Sequence, residues 1–431
     1  MEEYPKQQTV AVVGLGKIGL TMAAIYASNG FRVIGADVNP AVIQSVNAGE
    51  SHVKNEPGLK ELVELGHKRQ VLSATLDTKE AVSKADIVIV VVPVLVYEDN
   101  DVDYTYMDAA VEEIAAGLTK GTTVIFETTL PTGDTRNRFG VKLEAVSGLK
   151  AGTDFFLAYS PERVYSNKIL SDLKKYPKIV GGVNEKSLTR ASAFYKQAIQ
   201  ADIIEVESSE TAEFAKVAEC VYRDVNIALA NELAVYATKM HVNIREVIQA
   251  SNTQPYSHIH SPGIGVGGHC IPIYPYFFMK RGLSEGLAHL ARDVNDGMAA
   301  YSIQEIEQEL DGLNGKNILI LGLSYRENVK EETKSTTWLL LDQLKKKQAN
   351  VVVHDPMFSE QELKERALLP FSFTSEASKE IDAIIVQAFH DEYQTIEFDS
   401  FPSCKLLFDG RNAVDPKKLS KTGIRYKGLG L

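Results

Sequence analysis

Cys270 lies in the stretch Ser261–Phe278, SPGIGVGGHCIPIYPYFF, behind four glycines (Gly263, Gly265, Gly267 and Gly268), beside His269 and ahead of Pro272 and Pro275. Glycine admits positive φ and lets a backbone approach a ligand that any Cβ would repel, and the prolines stiffen the exit. A buried structural cysteine needs only apolar neighbours, so this setting points to a nucleophilic thiol on a tight loop. The alternative is a Gly/Pro turn with an incidental cysteine. A second set of reactive types is Glu213, Lys216, Cys220, Arg223 and Asn226, whose spacings of 3, 4, 3 and 3 place them on one helical face. Such a row is either a solvated charged face or a buried polar row facing a ligand. Val225, Ile227, Ala228 and Leu229 around its last two members favour burial. A third is Glu162-Arg163, either a solvated ion pair or a pair at a ligand-binding edge.

These groups need elements to hold them. Thr9–Val13 is a β-prone run that enters Gly14-Leu15-Gly16-Lys17-Ile18-Gly19. A helical stretch to about Asn29 and a second strand, Phe31–Gly35, ending at Asp37 follow. Strand, GxGxxG, helix, strand and acidic residue in this order form a dinucleotide fingerprint. Gly14 makes the turn, Gly16 admits a pyrophosphate, and Gly19 lets helix and strand pack closely. The helix N-terminus, at Lys17 and Ile18, supplies partial positive charge. Asp37 would bond ribose hydroxyls and repel a 2′-phosphate, which favours NAD over NADP. The runs Asp86–Val92, Thr122–Phe126 and Phe155–Ala158 read as parallel strands covered on both faces. Pro93, Glu127, Thr129 and the loop Tyr159–Val164 lie past their carboxyl ends, where ligands of open α/β sheets bind.

From about Ser208 the chain reads as one long helix to Met240 without proline or glycine, capped by Ser208 or Ser209. A third part begins near Gly315. Asn317–Leu321 is a strand that turns at Gly322–Tyr325, continues as a helix through Trp338 to Leu344, and returns as Val351–Pro356. That return echoes Val33–Pro40, and Ile381–Val386 echoes Ala85–Val90. The expected architecture is α/β: two Rossmann-like, doubly wound parallel-sheet domains joined by a central long-helix domain. The expected boundaries are 1–205 for the NAD domain, 206–305 for the central helical domain with the cysteine loop, and 306–431 for a second nucleotide-type domain. A length of 431 residues suits two or three domains. A net charge of −11 argues against a nucleic-acid or membrane-surface binder. The three cysteines, Cys220, Cys270 and Cys404, give neither a disulfide framework nor a metal-ligand spacing, which suggests a reducing cytoplasm. No apolar run is long enough to span a bilayer.

A dinucleotide site implies hydride transfer, and a loop thiol implies oxidation beyond an alcohol. A thiolate adds to an aldehyde, the adduct loses hydride to a second NAD, and water hydrolyses the resulting thioester. Lys216 is the candidate cation for the oxyanion and Glu162 the candidate base for the water. A second nucleotide-type domain suggests a substrate carried on a nucleotide.

At this point the chain resembles the UDP-glucose/GDP-mannose dehydrogenase family over nearly its whole length. The resemblance rests on GLGKIGL, on Glu56-Pro57-Gly58-Leu59, on Ser160-Pro161-Glu162-Arg163, and on Lys216 with Tyr222-Arg223 and Asn226–Glu232. It rests also on Gly267-Gly268-His269-Cys270-Ile271-Pro272 and on Asp409, Arg411 and Asn412. The SPER and GGHCIP spellings are similar to the branch acting on UDP-N-acetylmannosamine or UDP-N-acetylglucosamine. The resemblance implies four-electron oxidation of the C6 hydroxyl of a UDP-N-acetylhexosamine, in the supply of cell-surface polysaccharide precursors. It implies Cys270 as nucleophile, Lys216 as oxyanion stabiliser and Glu162 as hydrolytic base. It also implies cofactor contacts at Thr129, Asp37 and Lys330, and a substrate pocket drawing on Arg163, Val164, Lys216, Cys220, Arg223, Asn226, His258, His260 and Gly267. A homodimer through the central helix, making 206–305 the dimerisation domain, and UDP-sugar binding by 306–431 are further implications. Departures from the pattern are Tyr274 for an aspartate, Cys220 for an asparagine, Val94 for a threonine, and no arginine near Thr333, where Lys330 and Lys334 lie close by. Rival readings are a UDP-glucose 6-dehydrogenase, a 3-hydroxyacid or 6-phosphogluconate-type dehydrogenase with no use for Cys270, and a homologue that binds without turnover.

Overall fold

The computed structural model describes residues 7–97, 99–165, 168–280, 282 and 285–431. It falls into two compact units, Met1–Glu219 with Tyr276–Phe278, and Cys220–Pro275 with Met279–Leu431. The central helical stretch is therefore shared between them and is not a compact body of its own.

The first unit holds β1 (Thr9–Val13), β2 (Arg32–Ala36), β3 (Leu72–Thr75), β4 (Ile87–Val90), β5 (Leu95–Val96), β6 (Val102–Asp103), β7 (Thr123–Phe126), β8 (Phe156–Tyr159), β9 (Lys178–Gly182) and β10 (Ile203–Val206). β5 and β6 form a separate hairpin. The others make one sheet in the order β10-β9-β8-β7-β4-β1-β2-β3. β3, β2, β1, β4, β7 and β8 run parallel in the Rossmann order. Val10 lies opposite Val33 on one side and Ile87 on the other. β9 and β10, which no sequence signal announced, extend the edge antiparallel to β8. β1, β4 and β7 are apolar at nearly every position because helices cover both faces of the sheet: Val10 to Val13 and Ile87 to Val90 are at most 4% exposed.

In the second unit β11 (Asn317–Leu321), β12 (Asn350–His354), β13 (Ala383–Val386), β14 (Leu406–Asp409) and β15 (Arg425–Gly428) form an all-parallel sheet in the order β12-β11-β13-β14-β15. Strand alternation sorts its side chains into two cores. Ile318, Ile320 and Ile385 join the core that includes Ala234 and Ile303, whereas Leu319, Leu321 and Ile384 join Phe398 and Phe401. The two-domain α/β expectation holds at the level of the sheets.

The 32-residue helix Ser209–Met240 starts where expected. Ser208 is its cap, its hydroxyl accepting from the Thr211 N–H at 3.1 Å. In the second unit this helix is joined to the helix Leu287–Leu310 by a buried pair, Arg292 Nη1 to Asp224 Oδ1 at 2.7 Å. Among the described residues no helix is long and apolar enough to cross a membrane.

Candidate active site

The glycine turn of the first unit is built as its spacing requires. Gly14 has φ +92°, and a Cβ on Gly19 would sit 1.8 Å from the Gly14 carbonyl oxygen, so neither position admits a side chain. Gly16 is exposed, with open space where its Cβ would project. It begins the helix Lys17–Ser28 without any side-chain cap. The backbone N–H groups of that first turn, at Lys17 and Ile18, are of the kind that binds a pyrophosphate at a helix N-terminus. Asp37 is half-buried and already works for the turn: Oδ2 accepts from Leu15 N at 2.7 Å and Oδ1 from Asn39 N at 2.9 Å. A carboxylate has lone pairs left for a ribose after two bonds. Pro93 is exposed just past β4 and Thr129 buried just past β7. The donors, the uncluttered glycine and the carboxylate fit NAD.

The second unit repeats this turn and closes it. Gly322 has φ +108°, and Asp355 Oδ2 accepts from Leu323 N at 2.8 Å, as Asp37 does from Leu15. That oxygen also takes Ser324 N at 2.7 Å and faces His390 Nε2 at 3.1 Å, and Asp355 is 1% exposed. No helix follows the turn. The chain runs irregularly until Thr336–Lys346, where the Ser335 hydroxyl caps the next helix. The helix expected directly after Tyr325 is thus displaced, and the second turn is not a dinucleotide cradle. Lys330, expected at a cofactor, pairs with Glu362 at 2.5 Å and lies over Phe358.

Glu162 and Lys216 both belong to the first unit. Burial holds the Glu162 carboxyl above its ordinary range, against the downward pull of the Lys216 charge and the Val164 N–H, which donates to its Oε1. A carboxyl so raised is a stronger base than a free glutamate, as uptake of a proton from water requires. Lys216 is 8% exposed. Arg163 is bound inside this unit, to Glu219 at 2.5 Å and to the Pro177 carbonyl at 3.0 Å. Glu213, first of the helical row, is not aimed at a ligand: it accepts from Gly133 N at 2.5 Å and Thr135 N at 2.8 Å, and burial pushes its carboxyl up to about 7. Glu127, placed by its strand end at the ligand edge, is sealed inside and bonded to Tyr26, Tyr195 and Lys178.

In the second unit the Cys270 thiol is exposed. The loop before it is bound by carboxamides. Asn226 donates to the His258 carbonyl at 2.9 Å and accepts from His260 N at 2.9 Å. Asn252 does the same for both backbone groups of Ile259, and Asn231 accepts from Gly263 N at 2.8 Å while donating to Asn295. Asn226, expected at a ligand, thus clamps the loop, and Asn231 and Asn252 are further clamps that sequence reasoning did not single out. His260 packs edge-on to Tyr222, and burial, with the nearby Arg223 charge, holds its imidazole below the usual range. Cys220 is buried and Arg223 half-buried.

The loop glycines serve packing more than access to a ligand. A Cβ on Gly267 would meet the Lys334 carbonyl at 2.8 Å, and on Gly268 the Tyr325 ring at 2.9 Å. On Gly263 it would meet Arg411 Nη1 at 2.7 Å, and on Gly265 Thr336 Cγ2 at 2.9 Å. Only Gly265 and Gly268 use positive φ. Gly268 N also donates to the Thr333 carbonyl at 2.8 Å, and His269 Nδ1 lies 2.8 Å from Glu331.

Comparison with known proteins decides what this scaffold is. The chain matches the NAD binding domain of the UDP-glucose/GDP-mannose dehydrogenase family over residues 8–199, its central domain over 210–296, and its UDP binding domain over 319–416. It is 33% identical to a UDP-N-acetyl-D-mannosamine dehydrogenase of Pyrococcus horikoshii, across 98% of this chain and 99% of that one. The chain belongs to the UDP-glucose/GDP-mannose dehydrogenase family. It is accordingly an NAD-dependent nucleotide-sugar dehydrogenase. The solved structure of UDP-D-ManNAc dehydrogenase from Pyrococcus horikoshii superposes with TM-score 0.89 at 31% identity, covering 98% of this chain and 99% of that one. A UDP-glucose dehydrogenase of Pyrobaculum islandicum superposes with TM-score 0.87 at 26% identity, covering 99% of each.

Proposed function

We propose that this enzyme oxidises the C6 hydroxyl of a UDP-N-acetylhexosamine, UDP-N-acetylmannosamine foremost, to the carboxylate in the cytoplasm, as a supplier of polysaccharide precursors. The observation that carries the reading is an exposed thiol, Cys270, on a loop held by Asn226, Asn231 and Asn252, in a chain collinear with a UDP-N-acetyl-D-mannosamine dehydrogenase. NAD, held by Gly14, Gly16, Lys17, Ile18, Gly19 and Asp37, supplies the hydride acceptor for both oxidations. The Cys270 thiolate forms a bond to C6 of the aldehyde, and Lys216 stabilises the resulting oxyanion. Loss of hydride from C6 leaves a thioester. Glu162 takes a proton from water, which attacks C6, breaks the C–S bond and returns the thiolate. Residues 1–205, 206–305 and 306–431 serve as cofactor, central and sugar-nucleotide segments.

The enzyme acts as a homodimer in this reading. Tyr222, Leu229 and Tyr236 recur every seven residues on the long helix and are 54%, 46% and 49% exposed, an apolar seam suited to a second copy. Leu229→Glu is expected to give a monomer by sedimentation, and an unchanged dimer would remove the helix from the interface. The catalytic reading is tested with UDP-N-acetylmannosamine, UDP-N-acetylglucosamine and UDP-glucose in parallel. Two NADH per substrate are expected, with Cys270→Ala stalling turnover while still binding NAD. If wild type and Cys270→Ala bind the UDP-sugars alike and neither forms NADH, the protein is a binding homologue.

A further inference from the structure

Behind Glu162 lies a buried charge pair that the reaction scheme above does not use. Glu127 at the end of β7 and Lys178 at the start of β9 are ion-paired, with side chains 0% and 5% exposed. Lys178 Nζ donates to Glu127 Oε2, and the other carboxylate oxygen accepts from Tyr195 Oη at 2.5 Å and Tyr26 Oη at 3.3 Å. Three donors, one ammonium and two phenols, are thus aimed at the carboxylate. Both partners also bind the Glu162 loop directly: Lys178 Nζ donates to the Pro161 carbonyl at 3.3 Å, and Glu162 N donates to the Glu127 carbonyl at 3.2 Å. Replacing such a pair by apolar groups of similar size is often neutral or stabilising, so stability alone does not account for it.

We propose that Lys178 and Glu127 are positioning residues of the hydrolytic step, the pair fixing the Pro161–Val164 loop and setting the charge that Glu162 senses from behind. The inference rests on the assignment of Glu162 as base. The ionisable groups facing Glu162 are Lys216 of the long helix, Lys178 of β9 and Glu127 of β7; Lys216 and Lys178 favour its ionised form and Glu127 opposes it. Tyr26 and Tyr195 stay protonated, held far above the usual phenol range by burial and by Glu127. Arg163, on the same loop, is paired with Glu219 of the long helix.

The two charges act on Glu162 with opposite sign, which separates this role from scaffolding. Lys178→Met is expected to move the acid limb of the kcat–pH profile up by about one unit, Glu127→Gln to move it down, and the double variant to return it near wild type. Lys178→Arg, which keeps the charge, is expected to leave it in place. An acid limb unmoved in Lys178→Met, or moved up in both single variants, overturns the proposal whatever happens to kcat itself. A wild type that oxidises no UDP-sugar refutes the proposed function instead. In that case 13C titration of the Glu162 carboxyl, assigned by loss of its signal in Glu162→Gln, decides the present point by the same signs in the full-length variants.

Discussion

Replacing Gly268 by alanine is expected to release the thiol loop from its bed while leaving cofactor binding intact. Gly268 sits at φ +98°, where an L side chain costs roughly 1–2 kcal/mol. Its Cβ would stand 2.9 Å from Tyr325 Cε2 and 3.1 Å from Cδ2, and overpacking of this kind adds about 1–3 kcal/mol. The sum, about 2–5 kcal/mol, falls on the docked loop and raises its open population at least roughly 30-fold. Hydrogen exchange by mass spectrometry over residues 261–270 reads that opening, with peptides from β11 as the internal control, and NADH formation reads the consequence. NAD affinity belongs to the glycine turn of the first unit and is expected to stay unchanged. Tyr325→Ala in the Gly268→Ala background removes the steric part and leaves the backbone part, so the cycle yields a coupling of about 1–3 kcal/mol. Unaltered exchange and unaltered kcat in Gly268→Ala, or strictly additive losses in the double variant, would refute the reasoning.

Two further outcomes follow from groups in the first unit. Glu213 has a folded pKa raised from 4.5 to about 7, so its contribution is fully present below pH 4.5 and is lost as pH rises through 7. Because a glutamine does not titrate, the stability of wild type relative to Glu213→Gln is expected to fall by about 3 kcal/mol between pH 4.5 and 8 in denaturant titrations. A pH-independent difference would show that the carboxyl titrates normally. Asp37→Asn keeps an acceptor for Leu15 N but loses the charge, and is expected to weaken NAD about 10- to 100-fold in calorimetry; Asp37→Ala, which also frees the turn, is expected to do worse.

The parts legible from sequence were those whose cause is local. Gly14, Gly16 and Gly19 answer to the turn and the helix they adjoin, Ser208 to the helix it caps, and the apolar runs of β1, β4 and β7 to a sheet covered on both faces. What stayed hidden depends on partners far along the chain. Gly267 and Gly268 look like room for a ligand until Lys334 and Tyr325 are found against them. Asn226 shares a helical face with Lys216, yet both ends of its amide are taken by a backbone 32 and 34 residues away. Glu127 satisfies the strand-end rule and still turns inward, because Lys178 and two tyrosines offer a buried carboxylate three donors. β9 and β10 escaped notice because a short edge strand carries little periodicity. The second glycine turn echoes the first in sequence, and nothing local shows that His390, 35 residues from Asp355, faces its carboxylate.

The carboxamides that lace the thiol loop carry no charge at any ordinary pH, nor are they screened by salt. Acidifying the medium or raising its ionic strength thus leaves the amide clamps on residues 258–263 alone, whereas the His269–Glu331 pair beside Cys270 answers to both. Neutral amides hold the upstream half of the thiol loop and a titratable pair holds the residue next to the thiol, so the two halves respond differently to a change of buffer.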